Sequence, residues 1–157
     1  MMIKKLFALF LMLLWPSLSM AQTETITHGS LAIDRAVMRA ALPGSKVTAA
    51  YMTITNNGAE ADRLIGVEFS GAKKSEIHSM EMDGGVMKMR PVDGGLEIKP
   101  GESVTLEQGG LHLMFMGLTE RPADGETRSL TLIFEQSGSV TITLPVKMMM
   151  GGHKTSS

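Results

Sequence analysis

Soft metal donors alternate with apolar residues around His112. His112, Met114 and Met116 occupy every second position, and Leu113 and Phe115 fill the positions between them. Because side chains of a β-strand point to opposite faces with a period of two, this pattern predicts a strand with one core face and one face of soft donors. Thioether sulfur is neutral and polarisable, so it suits Cu(I) far better than zinc, calcium or magnesium. The segment therefore indicates a soft-metal site.

A second group of soft donors flanks residues 83–85, whose composition, Asp-Gly-Gly, is typical of a hairpin turn. Five donors recur with a period of two on the strands before and after this turn: His78, Met80, Met82, Met87 and Met89. Two imidazoles and two thioethers are all neutral ligands, and such a set favours a copper charge of +1 over +2. A row of methionines on one strand is, however, more often a packing surface. The pattern alone leaves copper binding and packing open.

Composition excludes several other kinds of chemistry. The 157 residues contain 15 methionines but no cysteine, which rules out disulfides, thiolate catalysis and a cysteine-centred blue-copper site. The chain has no Gly-x-Ser-x-Gly, phosphate-binding or His-Glu-x-x-His motif, so it is not expected to be an enzyme. The sequence has no basic patch of the kind that would predict nucleic-acid binding. Glu60 and Asp62 follow a turn and are interpreted as solvated surface, and His28 is interpreted as a surface residue.

The first 21 residues have the features of a cleaved signal peptide. Lys4 and Lys5 precede an apolar run that ends at Pro16, and Ser19 and Ala21 place small residues at the −3 and −1 positions of a cleavage site. The run is shorter than the ~20 residues that span a bilayer. We expect an exported, soluble chain from residue 22, with no membrane span after cleavage. Without a cysteine to acylate, a lipid anchor is not expected.

Short alternating segments separated by turns predict an all-β fold. Eight or nine such strands at close spacing favour an antiparallel Greek-key β-sandwich or barrel over an α/β enzyme fold. We expect one domain over residues 22–146 and a flexible tail over 147–157. The predicted strands lie at 30–39, 46–55, 62–69, 75–82, 86–91, 104–106, 110–117, 130–134 and 140–144.

The spacing of the donors resembles that of the periplasmic copper chaperones of the PCuAC family, which are associated with the CuA centre of cytochrome oxidase. The family signature is His, ten residues, Met, about twenty-one residues, and His-x-Met. Ten residues separate His78 from Met89, and twenty-two separate Met89 from His112, with Met114 completing the motif. The additional residue falls at the Gly94-Gly95 loop. Residues 51–56, 62–64, 89–92 and 109–114 also resemble the family, whereas Val37-Met38 stands where the family often has a tryptophan.

The resemblance implies a cupredoxin-like β-sandwich that binds Cu(I) near its surface and delivers it in the periplasm. The implied ligands are His78, Met89, His112 and Met114, and the other methionines of these strands would support or pack around them. The implied recipient is a copper-accepting protein such as cytochrome oxidase subunit II or another copper assembly factor. Two alternatives remain open, a periplasmic copper buffering or tolerance protein and a structural β-sandwich interaction module.

The C-terminal tail carries further soft donors on a glycine-jointed segment. They are Met148, Met149, Met150 and His153. They could form an auxiliary arm that captures Cu(I), and the imidazole also suits Cu(II). The alternative is an unstructured end of the chain.

Overall fold

A computed structural model describes residues 24–150, and this part of the chain folds into eleven β-strands. None of its residues form a helix that could cross a membrane. The predicted signal segment over 1–21 and the tail residue His153 lie outside the described range. The strands are β1 (Ile26–His28), β2 (Leu31–Arg39), β3 (Val47–Asn56), β4 (Asp62–Glu68), β5 (Ala72–Asp83), β6 (Val86–Pro91), β7 (Leu96–Ile98), β8 (Ser103–Leu106), β9 (His112–Leu118), β10 (Thr127–Phe134) and β11 (Gly138–Lys147).

The strands build two layers. One layer has the order β6-β5-β9-β3-β2, with β1 added to β2 and β8 to β3, and the other has the order β11-β10-β4-β7. Strand β11 joins the layers because it pairs with β10 over most of its length and then, at Val146 and Lys147, with β2. The predicted all-β sandwich is thereby confirmed. The β2–β11 contact is parallel and all other pairings described are antiparallel, so the sheet is mixed where a wholly antiparallel one was expected.

The core lies between the layers and takes apolar side chains from both. Leu113 and Phe115 of β9 are fully buried, and Phe115 meets Phe69 edge-to-face with ring centroids 5.2 Å apart. Val146 is also buried in this core, and β11 continues through Lys147. The regular structure therefore extends one residue into the segment that the sequence assigned to the tail.

Two three-residue strands, β1 and β7, do not appear among the predicted strands. Each is too short for an alternating pattern to be recognisable, and each is fixed by pairing with a longer strand, β1 with β2 and β7 with β4. The pairing of β1 also changes the environment predicted for His28. Its Nε2 lies 2.8 Å from the backbone oxygen of Ser137, so the ring is anchored to the β10–β11 turn.

Asp62 is buried, not solvated as the sequence predicted. Its side chain is 6% exposed and accepts backbone N–H bonds from Arg63 at 2.7 Å, Gln136 at 2.9 Å and Ser137 at 3.1 Å. Burial alone would raise the pKa of this carboxyl, but the hydrogen bonds outweigh it and lower the pKa. The carboxylate thus ties the start of β4 to the distant β10–β11 turn. Glu60 is exposed, as expected.

Candidate metal site

The two histidines of the predicted site lie directly opposite each other on adjacent strands. His78 of β5 pairs with His112 of β9, and their ring centroids are 5.8 Å apart at an angle of 62°. The two residues are only 7% and 5% exposed. The resemblance implied a metal site near the surface. Both imidazoles are instead buried, beneath the surface of the sheet.

Burial of the apolar neighbours explains why the imidazoles meet. Ile77 pairs with Leu113, and both are buried in the core. Because the side-chain period of a strand is two, this pairing places His78 and His112 together on the opposite face of the sheet. A shift of β5 by one residue against β9 would carry His78 into the apolar core and expose Ile77. The hydrophobic pattern therefore fixes the histidine pair.

The two predicted methionine ligands share the face of the histidine pair and flank it on opposite sides. Met114 lies two residues beyond His112 on β9, opposite Glu76. Met89 lies on β6, opposite Met80 and two residues before the partner of His78. Each methionine is therefore a diagonal neighbour of His78, and such positions, roughly 7–8 Å apart, remain within reach of long side chains. Met89 is 46% exposed on the edge strand.

Hydrogen bonds fix which nitrogen of His112 is free. Its Nδ1 lies 2.9 Å from the backbone oxygen of Gly110, which can only accept, so Nδ1 carries the proton. The lone pair of the neutral ring is then on Nε2. A metal-binding histidine is commonly held by such a bond from its other nitrogen.

In His78 the two ring nitrogens have exchanged roles relative to His112. Its Nε2 lies 2.8 Å from Oε2 of Glu76, and its Nδ1 is buried without a hydrogen-bond partner among the described residues. Oε1 of Glu76 also accepts a bond from Nζ of Lys74 at 2.6 Å. The bond from Lys74, and after it the bond from His78, lower the pKa of Glu76, so the ionised carboxylate accepts a hydrogen bond that the Nε2–H of His78 donates. The neutral ring of His78 therefore carries its lone pair on Nδ1.

Glu76 was not recognised from the sequence, although a signal existed. It stands two residues before His78 on the same strand, and the period of two places it on the same face. In the part of the chain that the structure describes, no group of three or more His, Cys, Asp or Glu residues is placed to hold a metal ion. Around the two imidazoles, the further donors on the same face are thioethers and the carboxylate of Glu76, whose oxygens are bonded to His78 and Lys74.

The tail methionines that the structure describes lie apart from the histidine pair. Met148 and Met149 line a cleft with Arg39 of β2, and Met149 also lines one with Tyr51 of β3. The described part of the tail thus rests over β2 and β3, away from the β5–β6 hairpin. Met150 is exposed. The structure does not bring these three residues to the histidine pair.

The chain belongs to the family of putative LpqE-like lipoproteins, whose family model matches residues 31–146. It is also similar to the putative lipoprotein Lxx21020 of Leifsonia xyli subsp. xyli, with 29% identity over 134 residues. That match covers 85% of this chain and 80% of the relative.

Solved structures with the same fold include copper-bound proteins. The copper-bound PCuAC domain from PmoF2 is 25% identical with a TM-score of 0.68, covering 80% of this chain and 99% of that domain. The copper(I) form of DR1885 from Deinococcus radiodurans is 31% identical with a TM-score of 0.59, covering 75% of this chain and 78% of that one. The similarity to PCuAC domains that the donor spacing predicted is confirmed.

Proposed function

We propose that this protein is an exported copper chaperone that binds one Cu(I) ion through His78, Met89, His112 and Met114. The observation that carries the proposal is the cross-strand histidine pair, because both rings have one nitrogen held by an acceptor and one carrying a lone pair. The similarity to the copper-bound PCuAC domain and to copper(I) DR1885 supports it.

The chemistry of the donors favours Cu(I). Two thioethers and two neutral imidazoles match its softness and add no negative charge, so they stabilise a monovalent ion better than a divalent one. The lone pairs lie on Nδ1 of His78 and Nε2 of His112, and these are the atoms that we expect to bind. Copper is here the cargo, and no residue is assigned a catalytic role.

The unequal exposure of the ligands suits transfer to a partner. The imidazoles are buried, whereas Met89 lies on β6, an edge strand whose six residues are all exposed. An incoming ligand can therefore displace Met89 first, while the histidines still hold the ion. Stepwise exchange of this kind avoids releasing free copper.

The recipient is proposed to be a periplasmic copper centre, such as that of cytochrome oxidase subunit II, or another copper assembly factor. Export is supported by the signal-peptide pattern of residues 1–21 and by membership of a family of putative lipoproteins. A tail arm containing Met148, Met149, Met150 and His153, able to take Cu(I) or Cu(II), is retained as part of this proposal. Truncation after Val146 would lower the number of copper ions bound if the arm captures metal.

A competition titration with a cuprous chelator tests the ligand set. We expect His112→Ala to weaken Cu(I) binding at least about 100-fold and Met89→Leu about 10-fold, which correspond to about 3 and 1.4 kcal/mol. Met116→Leu is the matched control, because it removes a thioether from the same strand as His112 but leaves the four proposed ligands in place. Unchanged binding in both ligand variants would leave only the packing interpretation.

If the ligand variants do lose affinity, a second experiment separates delivery from buffering. A chaperone should transfer its copper to an apo acceptor domain, whereas a buffering protein should retain it.

A further inference from the structure

The tip of the β5–β6 hairpin carries thioethers that the four-ligand site does not use. Met82 of β5 pairs directly with Met87 of β6, and the next pair toward the histidines on the same face is Met80 with Met89. Met82 is 67% exposed and Met87 is 46% exposed, whereas Met80 is half-buried. Along β5, burial of the donors thus increases from Met82 through Met80 to His78, whereas on β6 Met87 and Met89 are equally exposed.

Packing does not account for these methionines. The described part of the chain exposes eight large hydrophobic side chains, and four of them lie on this one hairpin. Exposed apolar side chains clustered in this way indicate a binding role more often than a structural one. The four residues are Met82, Val86, Met87 and Met89.

The two faces of the hairpin differ in charge. On the face opposite the methionines, Asp83 accepts bonds from Nζ of Lys88 at 2.7 Å and from Nη2 of Arg90 at 3.2 Å. Because side chains alternate along a strand, these ionic groups lie on the other face, and at the hairpin tip the methionine face presents only the neutral thioethers of two Met–Met pairs. A neutral thioether surface discriminates against hard and divalent cations and favours a soft monovalent ion.

The register places three sulfurs within reach of one ion. Directly opposite Cβ atoms in an antiparallel pair are ~4.5–5.5 Å apart, and diagonal neighbours are close enough for long side chains to meet. Met82 and Met87 are directly opposite, and Met80 is the diagonal neighbour of Met87. Methionine has three rotatable bonds beyond its backbone, so its sulfur can adjust to the ion.

We propose that Met80, Met82 and Met87 form a second, thioether-only Cu(I) site that captures the ion and passes it to the inner site. The transfer is a ligand exchange in which copper remains +1, with Met89 replacing Met87 beside Met80 before the imidazoles bind. The route rests on the proposed function for its destination, whereas the outer site itself depends only on the three methionines.

The test uses Ag(I) as a redox-inert soft cation and the full chain labelled at the methionine methyl groups. In the wild type and in His112→Ala, Ag(I) should shift the NMR signals of Met80, Met82 and Met87. The double variant Met82→Leu/Met87→Leu should load Cu(I) into the inner site about tenfold more slowly, with an equilibrium affinity within about twofold of the wild type. Both substitutions are at exposed positions and retain apolar side chains, so the fold should be unaffected, and Met116→Leu is the control.

The outcomes separate the outer site from the inner one. If the methyl signals do not respond and the double variant loads at the wild-type rate, the outer site is wrong, while loss of affinity in His112→Ala would still support the chaperone. If the methyl signals respond but His112→Ala binds copper normally, the outer site stands and the proposed inner site is wrong.

Discussion

Asp62 and His78 are both buried, but their polar atoms have opposite environments. The carboxylate of Asp62 accepts three backbone N–H bonds that connect β4 to the β10–β11 turn. His78 has one nitrogen bonded to Glu76 and one with no partner in the described structure. A buried polar group left without a partner costs ~1–3 kcal/mol. We interpret the contrast as one between a carboxylate that stabilises the fold and an imidazole that leaves a nitrogen available to the proposed copper ion.

The largest effect is expected from His78→Leu. It removes one proposed ligand together with the unpaired nitrogen, so Cu(I) affinity should fall about 1,000-fold, or about 4 kcal/mol, while the metal-free protein keeps its stability to within about 1 kcal/mol. Chelator competition and urea unfolding measure the two quantities. A large loss of stability with normal copper binding would make His78 a structural residue like Asp62 and remove the contrast.

Asp62→Ala should show the reverse behaviour. Three backbone donors would lose their acceptor, and we expect the free energy of unfolding to fall by about 2–3 kcal/mol. Copper affinity of the folded protein should be unchanged, because the residue lies in the other layer of the sandwich. Asp62→Asn, which retains one acceptor oxygen, should lose less stability and serves as the control. The measurement is urea unfolding of the metal-free wild type, Asp62→Ala and Asp62→Asn. Equal free energies of unfolding in the three proteins would contradict this role of Asp62.

Glu76→Ala sharpens the account of how His78 is oriented. Removing a group that orients a metal-binding histidine typically costs 10–100-fold in metal affinity, and we expect about that loss here. Nitrogen NMR should show the Nε2–H tautomer of His78 in the wild type and a mixture of tautomers in the variant. Glu81→Gln is the matched control, since Glu81 lies on the same strand with its side chain on the opposite face. An unchanged tautomer would show that Glu76 does not position the ring.

The smallest effect concerns pH. Because the folded-state pKa of Asp62 is lowered, its ionised form contributes stability that is fully present above the unfolded pKa of about 3.9 and is lost as the pH falls through the folded value. The difference in unfolding free energy between the wild type and Asp62→Asn should therefore be constant above about pH 5 and shrink below about pH 4. The difference cancels contributions from other carboxylates, including Glu76. A difference independent of pH would contradict the assignment.

The sequence predicted the faces of the strands better than their pairing. Alternation alone placed His112 and Met114 opposite the core side of β9, and the structure confirms this arrangement. That His78 faces His112 required the register, which depends on contacts between distant segments. The ligand role of these residues remains a prediction.

Residues that act through distant partners could not be read from local pattern. Asp62 was interpreted as a surface residue because it follows a turn. The local sequence is the same whether the carboxylate is hydrated or accepts hydrogen bonds from a distant backbone segment. Its partners Gln136 and Ser137 are more than 70 positions away. Glu76 was not predicted for another reason: a carboxylate is a hard donor and does not belong to the row of soft donors on the same strand face. Asp62 shows that hydrogen-bond partners, unlike strand faces, can be non-local information, whereas the partner of Glu76 is only two residues away.

X-ray absorption spectroscopy of the protein loaded with less than one equivalent of Cu(I) tests whether two histidines and two methionines bind the ion together. At that loading the inner site should hold the copper, and the account predicts a mixed shell of two nitrogen and two sulfur ligands, with one sulfur lost in Met89→Leu. A shell without nitrogen, or one that is unchanged in both His112→Ala and Met89→Leu, would contradict it.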